Sequence, residues 1–95
     1  MKFSEALEKC IAGARITRRD WNGKGRFVYY IPPHDVRIED WENRSGNTPL
    51  TDKEKEIGCV RIAGHFDMYN AQNIRIIGWL ASQTDMSSDE WEVIE

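Results

Sequence analysis

Cysteine and histidine are scarce in this chain, with two of each among 95 residues. Cys10 and Cys59 lie far apart, and neither CxxC nor HxxxH spacing is present to ligate a metal. A disulfide between them would require an oxidising compartment. Lys2 leads straight into an amphipathic segment rather than an apolar leader, so a cytoplasmic chain with two reduced, mostly buried thiols is expected. Long hydrophobic runs are missing too, and none approaches the roughly 18 residues of a membrane span. No serine stands in a nucleophile-elbow pattern. Lys24 lacks the upstream glycine and the following Ser or Thr of a Walker loop, which excludes an ATPase of that type. Net charge is small, −3 at pH 7, and argues against general nucleic-acid binding.

Aromatic residues, in contrast, are plentiful: four Trp, three Tyr and three Phe. That exceeds the needs of a small core and suits a ligand site or an oligomer interface. Hydrophobic content of 40% and charged content of 31% describe a globular chain. Residues 1–95 are read as one ligand-binding domain able to bury somewhat over about 60% of its unfolded surface. Charge is unevenly spread. Arg15, Arg18, Arg19, Lys24 and Arg26 face only Asp20 between residues 15 and 26, a local +4, which leaves −7 on the remainder. A basic segment on an acidic body fits a local anion site better than a long phosphate track. A solvated strand edge guarded by cations would look the same.

Phe3, Leu7, Cys10, Ile11 and Ala14 recur at helical spacing, which predicts a helix over 3–13 with Ser4 as its cap and Gly13 at its end. The rest alternates between short β-rich runs and turns. Strands are expected at 15–18, 27–31, 36–38, 59–62, 66–69, 73–77 and 91–94. Asn22-Gly23-Lys24-Gly25 is a strong turn, and Pro32-Pro33 stops the clearest strand. Residues 43–49 have loop composition, and Thr51 with Glu54 predicts a capping box over one or two helical turns. The expected class is α+β: a small antiparallel sheet, an N-terminal helix on one face, and a mid-chain excursion of loop and short helix.

Three constellations could carry chemistry. Trp21-Asn22-Gly23-Lys24-Gly25 sets an indole beside turn amides and a lysine, a combination that stacks a base and meets a phosphate, or simply caps the core. Ser82-Gln83-Thr84-Asp85 offers short polar groups for ribose hydroxyls, base edges and phosphate. It could equally be local capping, with Thr84 or Ser87 starting a short helix over 88–90. His65 and Asp67 fall on one face of a strand, where such a pair is more often a local hydrogen bond than a catalytic couple.

Together these segments resemble the second type of Thoeris anti-defence protein. The N-terminal likeness is Phe3-Ser4-Glu5-Ala6-Leu7, Gly13, Arg18-Arg19 and Trp21-Asn22-Gly23-Lys24-Gly25. The C-terminal likeness is His65-Phe66-Asp67-Met68, the highly specific string Trp79-Leu80-Ala81-Ser82-Gln83-Thr84-Asp85-Met86, and Asp89-Glu90-Trp91-Glu92-Val93. It covers about two-thirds of the chain. Residues 32–58 depart from the family's Pro-rich middle and are richer in charge.

The resemblance implies a phage-encoded sponge rather than an enzyme, working in the host cytoplasm without a cofactor. The implied ligand is the cyclic ADP-ribose isomer of Thoeris TIR proteins, glycocyclic ADP-ribose, with cyclic dinucleotides also bound by some relatives. A homotetramer with pockets between protomers is implied, with no membrane and no nucleic acid as partner. The implied ligand-binding residues are Trp21, Asn22, Gly23 and Lys24, with Ala81, Ser82, Gln83, Thr84, Asp85 and Met86. Alternatives are a small single-stranded nucleic-acid binder and a structural oligomeric module.

Overall fold

The computed structural model describes residues 1–44 and 48–94. Of the expected 43–49 loop, residues 45–47 therefore lie outside the described residues. In chain order the elements are α1 (Phe3–Ile11), β1 (Arg15–Arg18), β2 (Phe27–Ile31), β3 (His34–Arg37), α2 (Ile38–Glu42), α3 (Asp52–Ile57), β4 (Cys59–Ile62), β5 (His65–Tyr69), β6 (Arg75–Ile76), α4 (Gln83–Ser87) and β7 (Trp91–Ile94). The chain divides into two compact units, residues 1–32 with 65–95, and residues 33–64.

The first unit is built on a five-stranded antiparallel sheet in the order β6-β5-β2-β1-β7. Ile16 pairs with Val28, and Val28 with Met68, so all three share one face. Helix α1 covers that face with Ala6 and Cys10. With Trp91 these residues make the core. Burial pushes the Cys10 thiol up to about 11, as expected of a thiol that packs as a small hydrophobe. The predicted α+β class, with an antiparallel sheet under an N-terminal helix, is the observed one.

The helix corrects the sequence reading in two details. Lys2, not Ser4, is the N-cap, and its side chain makes no capping bond. Ile11, assigned to the apolar stripe, is 52% exposed. It sits about 100° round the helix from Cys10, beyond the edge of the stripe that Ala6 and Cys10 define. Gly13 does end the helix region, at φ 113.

Strand β6 spans only two of the five residues expected at 73–77. Its approach is consumed by a turn in which Asn70 Oδ1 accepts from the Gln72 and Ile74 amides and Asn73 takes φ 63. Thr84 and Ser87 do not cap a helix over 88–90. The helix is α4, capped by Ser82.

The second unit pairs β3 with β4 as its own two-stranded antiparallel sheet. The strand expected at 36–38 is His34–Arg37, and Ile38 opens α2, which periodicity did not anticipate. Pro32 and Pro33 lack amide donors and so interrupt the ladder after β2. Helix α3 carries the expected capping box, with Thr51 Oγ1 accepting from Glu54 N and Glu54 Oε1 accepting from Thr51 N.

Candidate functional site

Asp85 is the centre of the Ser-Gln-Thr-Asp segment. Its amide donates to Ser82 Oγ at 3.1 Å, and its Oδ2 accepts from Ser82 N at 2.9 Å. This reciprocal pair closes the single turn of α4. Its other oxygen, Oδ1, accepts from Arg18 Nη1 at 2.7 Å and from the Trp21 indole N–H at 3.2 Å. The Trp91 indole donates to the Asp85 carbonyl at 2.8 Å. Burial pushes the Asp85 carboxyl up. Hydrogen bonds from the Ser82 backbone, Arg18, the Ser82 side chain and Trp21 outweigh burial and hold it below the usual carboxylate range. Arg18 also forms a bidentate pair with Asp20, at 3.0 and 2.8 Å.

Two sequence-distant segments thus meet at one carboxylate. Trp21 is half-buried, edge-on to Trp91 at 5.2 Å and to Trp79 at 6.5 Å, with Phe3 completing the aromatic cluster. The Arg26 guanidinium lies over the Trp21 ring, 4.6 Å from its centroid, and its Nη1 donates to Asn22 O at 3.0 Å. Beyond Arg26 is a shallow cavity of about 280 Å³. Asn22, Arg26, Asn70 and Gln72 line its polar side, and Met68 and Ile76 its apolar side.

Gly23 makes this arrangement possible. It has φ 95, and a Cβ there would come within 2.8 Å of Ala71 Cβ. The turn at 22–25 can therefore approach the turn at 70–73 closely only with glycine at this position.

The implied site residues fall into three groups. Trp21, Ser82 and Asp85 are brought together by direct hydrogen bonds. Asn22 and Gly23 belong to the turn beside the cavity. Lys24, Gln83, Thr84 and Met86 are exposed, and Ala81 is half-buried. Residue patterns missed Arg18 and Arg26 as individuals. Both stood in the basic 15–26 segment, and that charge excess was the signal available. Asn70 and Gln72 gave no signal, because only folding brings them here, and Trp91 stood only within the C-terminal likeness.

His65 Nε2 lies 3.6 Å from Asp67 Oδ2. Asp67 is 2% exposed, and its Oδ1 accepts from Gly78 N at 2.8 Å. The carboxylate braces the Gly78 bend, where φ is 83, and the Trp79 amide then donates to Phe66 O. This sets the entry to the Trp79–Met86 string. Among the described residues, no group of three or more His, Cys, Asp or Glu is placed to hold a metal ion. No helix among them is long and apolar enough to cross a membrane.

The sequence profile of the Thoeris anti-defense 2-like domain matches residues 1–94. A curated relative, the Thoeris anti-defense 2 protein of Bacillus phage SP01, is 27% identical over 97 residues. The alignment covers 99% of this chain and 94% of the relative.

Proposed function

We propose, since the chain belongs to the Thoeris anti-defense 2-like family, that it is a sponge for the cyclic ADP-ribose isomer made by Thoeris TIR proteins. Family membership supports a phage anti-defence role. The sponge reading adds that the signal is held unaltered in the host cytoplasm, so the downstream effector is never activated. The observation that carries it is the meeting of the family's two most specific strings at the Trp21–Asp85 hydrogen bond.

The chemistry of the residues suits such a ligand. Trp21 supplies an indole for the adenine, provided that Arg26 moves from the ring toward a phosphate. Lys24 and Arg26 offset the pyrophosphate charge. The Gln83 amide and Thr84 hydroxyl, both exposed, reach ribose or base edges. Asp85 serves differently, because both of its oxygens already accept hydrogen bonds. It fixes Trp21 and the α4 turn.

Assembly as a homotetramer would complete a shallow site. Ile74, Ile76, Ile77 and Leu80 are all exposed and support such an interface, Leu80 at 91% and Ile77 at 70%. Cyclic dinucleotides belong to the same ligand class and are candidates for the same protein.

Sponge and enzyme separate on what comes back. The protein is incubated with the cyclic ADP-ribose isomer, denatured by heat, and the released ligand is chromatographed. The sponge reading expects the intact ligand in stoichiometric yield. A linear or otherwise altered product would make the protein an enzyme and would sink the reading.

A further inference from the structure

The pleat of the large sheet sorts its side chains by face. Ile16, Val28 and Met68 point toward α1, so Arg15, Phe27, Tyr29, Tyr69 and Arg75 share the opposite face with the buried Asp67 and the half-buried Glu92. Their packing is specific. Phe27 and Tyr69, on adjacent strands, stack at 5.1 Å with 28° between planes, and Tyr29 lies 6.0 Å from Phe27. A guanidinium flanks the rings on each side. Arg15 sits 5.0 Å over Phe27, and Arg75 sits 5.3 Å over Tyr29 and 5.4 Å over Tyr69.

Like Arg26 on Trp21 and Arg44 on Trp41, these two cations lie against rings. Arg18, Arg19 and Arg37 meet carboxylates. Arg15 and Arg75 form no salt bridge among the described residues and rest on rings. The Tyr29 phenol, with help from Tyr69 and the nearby Asp67 charge, raises the Arg75 pKa. β1 and β6 flank β2 and β5, so the two arginines stand three strand spacings apart, roughly 14 Å.

We infer that this face binds a short single-stranded oligonucleotide, with bases stacked on Phe27, Tyr29 and Tyr69 and two phosphates held by Arg15 and Arg75. Sheet faces that present aromatic rings bind single strands in this way, because every base has a π-face. A phosphate is a better guanidinium partner than a ring, being charged and bidentate, so binding draws each arginine outward and bares the ring beneath it. The acidic body keeps the track short: −3 net charge does not favour a long polyanion, whereas two arginines suffice for two phosphates. The inference goes beyond the proposed sponge and shares no residue with that site.

The test is fluorescence anisotropy of the full chain with a labelled six-nucleotide oligothymidylate, repeated over a series of salt concentrations. The logarithm of the association constant should fall against the logarithm of salt with a slope of about −1.4, from about 0.7 per phosphate on a single strand. Tyr69→Leu and Arg75→Gln should each weaken binding about tenfold while far-UV dichroism and the melting curve stay as in the parent. If Tyr69→Leu disturbs folding, Arg75→Gln and Arg15→Gln, both on the sheet surface, carry the test alone. No binding, or binding indifferent to these substitutions, would overturn the inference. So would displacement by adenosine monophosphate at equal molar strength, which would reduce the face to a mononucleotide site. The sponge is read with the cyclic ADP-ribose isomer and with Trp21 and Lys24 variants, so either reading can fail without the other.

Discussion

Asp85 carries more of the architecture than any other polar residue of the candidate site. One carboxylate closes α4, pairs with Arg18 and orients Trp21, while its own carbonyl receives Trp91. Its carboxyl is held below the usual range, which ties the stability of the fold to pH. A group whose folded pKa is depressed contributes stability above its unfolded pKa, about 3.9 for Asp. That contribution disappears as pH falls through the folded value. Asp85→Asn should therefore cost about 2 kcal/mol at neutral pH, the worth of a hydrogen bond to a charged group, since Arg18 keeps Asp20 but loses one of its two partners. It should also flatten the decline of stability below about pH 4. Urea denaturation at a series of pH values reads both, and an unchanged acid limb would show that the stability resides elsewhere.

At the scale of elements, turns matter more than strands, because they decide which residues meet. The turn at 22–25 approaches the turn at 70–73 through Gly23, whereas Gly25 has positive φ but open space around it. Gly25→Ala should cost about 1 kcal/mol, the strain of a left-handed backbone. Gly23→Ala adds a collision with Ala71 and should cost at least about 1 kcal/mol more. Equal losses in chemical denaturation would mean that the turns do not pack as described.

The legibility of the sequence divides along the same line. α1, β2, β4 and β7 were readable because periodicity and β-branched or aromatic enrichment are local. The capping box at Thr51 and Glu54 is likewise local chemistry. The separate β3–β4 sheet was not readable, because pairing partners are set by tertiary contacts. α4 was misplaced by the wrong choice of cap: Ser82, Thr84 and Ser87 all qualify by residue type. Trp21 and Asp85 could be singled out separately. Nothing in the sequence said that one would hydrogen-bond the other, or that Arg26 would lie on the indole.

For the whole molecule, the distribution of apolar surface is the main constraint. Ile74, Ile76, Ile77 and Leu80 fall within seven residues, and all are exposed on the single chain. A tetramer would cover them. The double substitution Ile77→Glu with Leu80→Glu should shift a tetramer to smaller species in light scattering coupled to size-exclusion chromatography. A parent that already elutes as a monomer would refute the assembly.

Sequestration depends on mass action: the protein must outnumber the signal and bind it more tightly than the effector does. Each 1.4 kcal/mol of affinity is worth about a factor of ten at low signal. Calorimetric titration of the full chain with the cyclic ADP-ribose isomer therefore decides whether this protein is a sponge. A sponge should show saturable binding with submicromolar affinity that weakens when Lys24 is replaced by Ala in a protein that still melts as the parent does. Absence of binding heat at any temperature tried, together with no ligand-induced rise in melting temperature, would contradict it.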